Sequence, residues 1–178
     1  MFGVLGVVYK AWGPPRITDA REKFHRAWQL KCSKQEMYEH WYEMEDREKE
    51  WTKAAEAMEK GLKIMPNNKK LLYLAGYARS RLSREFRGGL HPERATKEHS
   101  DARRLLEKAL RVSSDLKDKW LNTKIYRALV LLFEQTKNIR KMEYYFKMWK
   151  KEFGDDPDLI SEYERISKKY DIEPSESE

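Results

Sequence analysis

Apolar positions along this chain recur with a helical period. In "DAREKFHRAWQLKC" and "KAAEAMEKGLKIMP", Ala20, Phe24, Ala27 and Cys32 stand thirty-four positions ahead of Ala54, Met58, Gly61 and Pro66. Small, large and small residues at i, i+4 and i+7 share one stripe of a helix, where the small ones admit a neighbouring backbone and the large one fills the space between. A proline five residues later stops such a helix. The stripe returns as Ala102, Leu106 and Ala109 in "SDARRLLEKALRVSS" and, in bulkier form, as Met142, Phe146 and Trp149 in "RKMEYYFKMWKKEFG". Four second helices of helix pairs are thereby predicted, with Cys32 a small buried apolar residue in the proline slot.

The matching first helices precede them. "SKQEMYEHWYEMEDREKE" carries Tyr38, Trp41 and Tyr42 on an apolar stripe, and its Ser33 and Glu36 are spaced as a capping box. "LLYLAGYARSRL" places Leu72, Ala75 and Gly76 in the same phase, and "YRALVLLFEQTKN" places Tyr126, Leu129, Val130 and Phe133. At the start, "LGVVYKAWG" offers Leu5, Gly6 and Tyr9, with Gly13, Pro14 and Pro15 expected to make the turn before Ala20.

Two spacings are too long. About fourteen extra residues between Gly76 and Ala102 include Gly88, Gly89 and Pro92, which predicts an insertion loop at about 83–97. About six extra residues between Ser114 and Tyr126 are expected to lengthen a first helix. A closing helix follows, with Asp156 as N-cap, Pro157 at its first position, and Leu159, Ile160, Tyr163, Ile166 and Tyr170 along one face. Residues 173–178 are expected to be a disordered acidic tail.

With these phases in place, the chain resembles the tetratricopeptide repeat family, whose 34-residue pattern is W-x2-L-G-x2-Y, then A-x3-F, then P. The resemblance runs from about Val4 to Gly154 and rests on the shared phase, since no repeat matches every position. It implies an all-α fold: a right-handed α-solenoid of about four helix-turn-helix repeats plus a C-terminal capping helix, forming one domain over 1–172. It further implies a non-catalytic protein-protein interaction scaffold or adaptor, with a peptide or partner helix held in a concave groove lined by the first helices.

Positions 2, 5, 9 and 12 of each repeat would face that groove. They are Glu36, Glu39, Glu43 and Asp46 in one repeat, Lys70, Tyr73 and Tyr77 with Arg81 nearby in the next, and Lys124 and Arg127 in the third. Such a groove would run from acidic through aromatic to basic and prefer a ligand of mixed charge. Family members that grip a chaperone C-terminal carboxylate use Lys, Asn and Arg on these helices. No Asn occupies the corresponding positions here, which argues against that role. Phe2, Val4, Leu5 and Val8 leave an apolar N-terminal edge, expected to be covered by another domain or subunit.

Composition adds a competing reading. Lys and Arg outnumber Asp and Glu by 37 to 30, a formal charge of +7, which favours acidic partners. Arg79, Arg84, Arg87, Arg103 and Arg104 are expected to form an anion or nucleic-acid patch near Phe86. "KNIRKMEYYFKMWKK" also interleaves cations with aromatics, although Phe146 and Trp149 belong to the core stripe. "AREKFHRAW", "ARRLLEKAL" and "HWYEME", the last with Glu45, resemble the half-a-tetratricopeptide repeats of RNA-processing scaffolds. This second resemblance implies an adaptor associated with RNA or a ribonucleoprotein.

No catalytic residue, metal site or cofactor is expected. His25, His40, His91 and His99 form no metal-binding spacing and are expected to be solvated surface residues, and no phosphate-binding glycine motif occurs. A single cysteine excludes an internal disulfide and suits a reducing intracellular compartment, expected to be cytoplasmic, with mitochondrial or nuclear placement left open. The apolar run over residues 1–9 is too short for a membrane span of about 20 residues, so no membrane insertion is expected.

Overall fold

The computed structural model describes residues 14–89, 91–112, 119–154 and 156–171. Among them there is no strand. The helices are α1 (Pro14–Gln29), α2 (Gln35–Arg47), α3 (Trp51–Ile64), α4 (Lys69–Arg87), α5 (Pro92–Arg111), α6 (Lys119–Glu134), α7 (Ile139–Phe153) and α8 (Pro157–Tyr170). The chain divides into two compact units, Met1–Ser113 and Ser114–Glu178. The division falls in the stretch that exceeds the repeat spacing.

Within the first unit each helix packs on the next in sequence, and α2 also touches α4. Within the second, α6 packs on α7 and both touch α8. The small-large-small stripe explains why. All twelve of its positions on α1, α3, α5 and α7 are buried, from Ala20, Phe24 and Ala27 to Met142, Phe146 and Trp149. The first-helix stripes are buried too: Tyr38, Trp41 and Tyr42 on α2, Leu72, Ala75 and Gly76 on α4, and Tyr126, Leu129, Val130 and Phe133 on α6.

Two glycines set the closest approaches. A Cβ on Gly61 of α3 would lie 2.8 Å from Leu71 Cδ1 on α4 and 2.9 Å from Tyr38 Cδ1 on α2. A Cβ on Gly76 of α4 would lie 2.7 Å from Leu106 Cγ and 3.2 Å from the Ala102 carbonyl oxygen on α5. Close packing of α4 on α5 therefore needs a residue without a side chain at 76. Capping sharpens the helix starts: Asn68 accepts from Leu71 N–H at 3.0 Å, Asn138 from Lys141 N–H at 3.1 Å, and Asp156 from Asp158 and Leu159 N–H.

Several local expectations are corrected. Much of the loop expected at 83–97 is helix, because α4 runs on to Arg87 and α5 begins at Pro92; Ser83 Oγ donates to the Ala95 carbonyl oxygen and ties the two extensions together. Pro14 and Pro15 open α1 instead of making a turn, as prolines can in a first helical turn. The N-cap of α2 is Lys34, without a side-chain cap, so Ser33 and Glu36 form no capping box. Cys32 is only half-buried, and its carbonyl oxygen accepts from Tyr38 Oη at 2.9 Å. On α8 Ile160 is exposed, and Glu162 is buried in its stead. The "LGVVYKAWG" helix, the N-terminal apolar edge and the acidic tail lie outside the described residues.

Gly76→Ala should destabilise the protein by about 1–3 kcal/mol through overpacking against Leu106 and Ala102, against a helix-propensity gain of about 1 kcal/mol. Gly89→Ala, whose Cβ would meet nothing closer than 3.7 Å, should stay within about 0.5 kcal/mol of the parent. Urea denaturation of both variants checks the contrast.

Candidate functional site

None of the ten residues assigned to the groove is fully buried. In the first unit the adjacency of α2 and α4 brings several of them together. Tyr42 Oη donates to Asp46 Oδ1 at 3.4 Å, and the tyrosine's pKa is raised by burial, by Asp46 and by the nearby Tyr77 and Tyr73. The Tyr73 and Tyr77 rings lie 6.0 Å apart. Asp46, Tyr73 and Tyr77 therefore share one surface, floored by Tyr42.

Farther along α2, Gln35 donates to Glu39 and accepts from Asn68 Nδ2 at 2.7 Å, a polar link between the starts of α2 and α4. Glu36 and Glu43 are exposed, and Glu43 lies 3.7 Å from His40 Nδ1. Lys70 is half-buried. Arg81 lays its guanidinium over the Trp51 ring, 4.6 Å from the centroid. In the second unit, Lys124 Nζ stands 3.6 Å from the Trp120 ring centroid, and Arg127 lies 3.5 Å from Glu162.

Of the five arginines expected to form an anion patch, Arg79, Arg103 and Arg104 are ion-paired. Arg79 is not presented to solvent as a free cation. It is bonded to Glu59 of α3 and to Glu98 of α5 at 2.6 Å, with Asp101 at 3.6 Å, so it clamps the two helices that flank its own. Burial alone would lower its pKa, but Glu59 and Glu98 raise it. Arg103 pairs with Glu107 at 3.0 Å and Arg104 with Asp101 at 3.3 Å. Arg84 and Arg87 are exposed. Burial, followed by Arg87 and Arg103, lowers the pKa of half-buried His99. Arg94 lies over the Phe86 ring, 4.9 Å from its centroid.

Two further clamps went unassigned in the sequence. Arg21 of α1 makes a forked bond to Glu45 of α2, with contacts of 2.6 and 2.9 Å; Glu45 is 1% exposed and also accepts from Trp41 Nε1 at 3.3 Å. Glu134 of α6 accepts from Arg165 at 2.7 Å and Lys169 at 2.8 Å on α8, and Arg165 also holds the buried Glu162 at 2.6 Å. The signal available beforehand was Glu45 one helical turn beyond Trp41, an acid on an apolar face.

Among the described residues no group of three or more His, Cys, Asp or Glu is placed to hold a metal ion. Of the histidines, His25 and His91 are exposed, whereas His40 and His99 are half-buried. No helix among the described residues is long and apolar enough to cross a membrane. Comparisons with protein-family models, curated proteins and solved structures find no match to this chain.

The Glu134 clamp makes the second unit acid-sensitive. Hydrogen bonding from Arg165, helped by Lys169 and opposed by burial, holds the carboxyl at about 2, down from 4.5. A depressed folded-state pKa stabilises fully above the unfolded value and is lost as pH falls through the folded one. Wild-type stability should therefore drop between about pH 4.5 and pH 2 by more than that of Glu134→Gln, which should itself be weaker at pH 7 by roughly 1 kcal/mol. Thermal melts across that range compare the two.

Proposed function

We propose that this chain is a non-catalytic interaction scaffold of tetratricopeptide type, a right-handed solenoid of helix pairs that holds a peptide or partner helix against its first helices. The observation that carries the reading is the separation of two residue sets by the same phase. Every stripe position on α1, α3, α5 and α7 is buried, while every assigned groove position on α2, α4 and α6 reaches the surface. The contact of α2 with α4, first helix against first helix, supports it. A single cysteine is compatible with a cytoplasmic setting.

The ligand surface centres on α2 and α4. Glu36, Glu39, Glu43 and Asp46 supply negative charge beside Tyr73 and Tyr77, so a segment carrying Lys or Arg together with an aromatic or aliphatic anchor fits it. A second reading, a half-a-tetratricopeptide adaptor in an RNA-processing assembly, gains support from the Arg21–Glu45 fork, which joins two of the segments that carry that resemblance.

Affinity capture with the full chain at two ionic strengths, followed by identification of what is retained, tests the scaffold reading. Glu39→Lys/Glu43→Lys should weaken capture of the principal protein partner at least tenfold, roughly the effect of placing like charge against a complementary patch. Undiminished capture by that variant overturns the assigned surface.

A further inference from the structure

We propose that the outward face of α7 binds single-stranded nucleic acid, its cations on successive phosphates and Tyr144 stacked on a base. The rotation of α7 about its axis is set by Met142, Tyr145, Phe146 and Trp149, all buried. With 3.6 residues per turn, the side opposite that stripe carries Arg140, Tyr144, Lys147 and Lys151, spaced four, three and four along one line. All four are exposed, and so is Lys137 in the turn that precedes the helix. The line from Arg140 to Lys151 spans about 16 Å of helix, enough to follow a few nucleotides.

These cations differ from the arginines of the first unit. The ion pairs of the second unit join Arg127 and Arg165 to Glu162, and Arg165 and Lys169 to Glu134; among the described residues none reaches Lys137, Arg140, Lys147 or Lys151. Of the two acids on α7, Glu152 accepts from Asn122 and Tyr126 of α6, and Glu143 is half-buried. The stripe therefore keeps its charge for an outside anion.

Tyr144 is 51% exposed and stands edge-on against Tyr145, with ring centroids 5.1 Å apart, while Lys141 Nζ lies 5.5 Å from its centroid. A supported, accessible ring beside unpaired cations is what backbone neutralisation with base stacking requires. An anionic membrane surface fits less well. A helix lying on a bilayer must insert its apolar face, and here that face is already spent in the core, leaving only Tyr144 and Met148 outside.

This surface does not depend on the groove between α2 and α4, so either can fail alone. The test titrates the full chain into a fluorescein-labelled oligouridylate at several salt concentrations. Arg140→Gln/Lys147→Gln/Lys151→Gln, all at exposed positions, should weaken binding and make the slope of log affinity against log salt shallower by about 2, some 0.7 per lost phosphate contact. Tyr144→Ala should weaken binding at least fivefold with the slope unchanged. Lys31→Gln/Lys34→Gln/Lys63→Gln, which removes the same charge from the first unit, should leave the slope as it was. Equal loss from both triple variants, or binding to phosphatidylserine vesicles without binding to the oligonucleotide, overturns the proposal.

Discussion

Close approach of helix backbones at small residues is the constraint on which the rest of this structure depends. Gly76 meets Leu106 and the Ala102 carbonyl, and Gly61 meets Tyr38 and Leu71 on two different helices. Both contacts are tight enough that a methyl group would have to displace a neighbour. Once α3 sits between α2 and α4 at that distance, the large stripe residues have only one side to occupy. Met58 and Leu106 fill the gaps left by the small residues around them and are fully buried. The outward faces follow from this packing.

Charge is then used inside the packing as well as outside it. Glu45 on α2 and Arg79 on α4 stand thirty-four positions apart, equivalent seats in the period of the apolar stripe, yet their signs are opposite. Each seat is served by the helices that flank it: Glu45 by Arg21 from α1, Arg79 by Glu59 from α3 and Glu98 from α5. A charge removed from water in this way is tolerated only with its partners in place. The two seats therefore help to fix which helix packs on which, because exchanging the helices would set like charge against like. Arginine occupies the cationic role in all three clamps, at positions 21, 79 and 165, as its planar fork suits a paired carboxylate.

Much of this was legible in the sequence because the repeat stripe has a period and small residues mark it. The burial of Ala20, Ala54, Ala102 and Met142 needed only the phase, and so did Asp156 as a cap ahead of Pro157. What escaped was whatever depends on a partner remote in sequence. Glycines at 88 and 89 mark a turn but say nothing of how far the flanking helices run, and α4 and α5 extend because they pack on each other along their added turns. Nor does the sequence show that Arg79, Arg103 and Arg104 stand beside Glu59, Glu98, Asp101 and Glu107. Ser33 and Glu36 have capping-box spacing, but α2 starts two residues beyond Ser33, at Gln35.

The same logic decides where a net charge of +7 can act. A formal sum treats Arg79 and Lys147 alike, although the first is held among three carboxylates and the second faces water. The core makes this difference, not the surface. Trp149 stacks near Phe146 and Tyr126, with ring centroids 6.5 and 6.4 Å away, and Phe146 meets Tyr163 at 5.1 Å. These contacts lock α7 between α6 and α8. Turning the helix by about 100°, one residue's worth, would bring a lysine or arginine toward the aromatic layer and a large apolar residue into solvent, losing about 1.5–3 kcal/mol for each such side chain exposed. The aromatic packing that holds the unit together is thus also what aligns Arg140, Tyr144, Lys147 and Lys151 into one outward line.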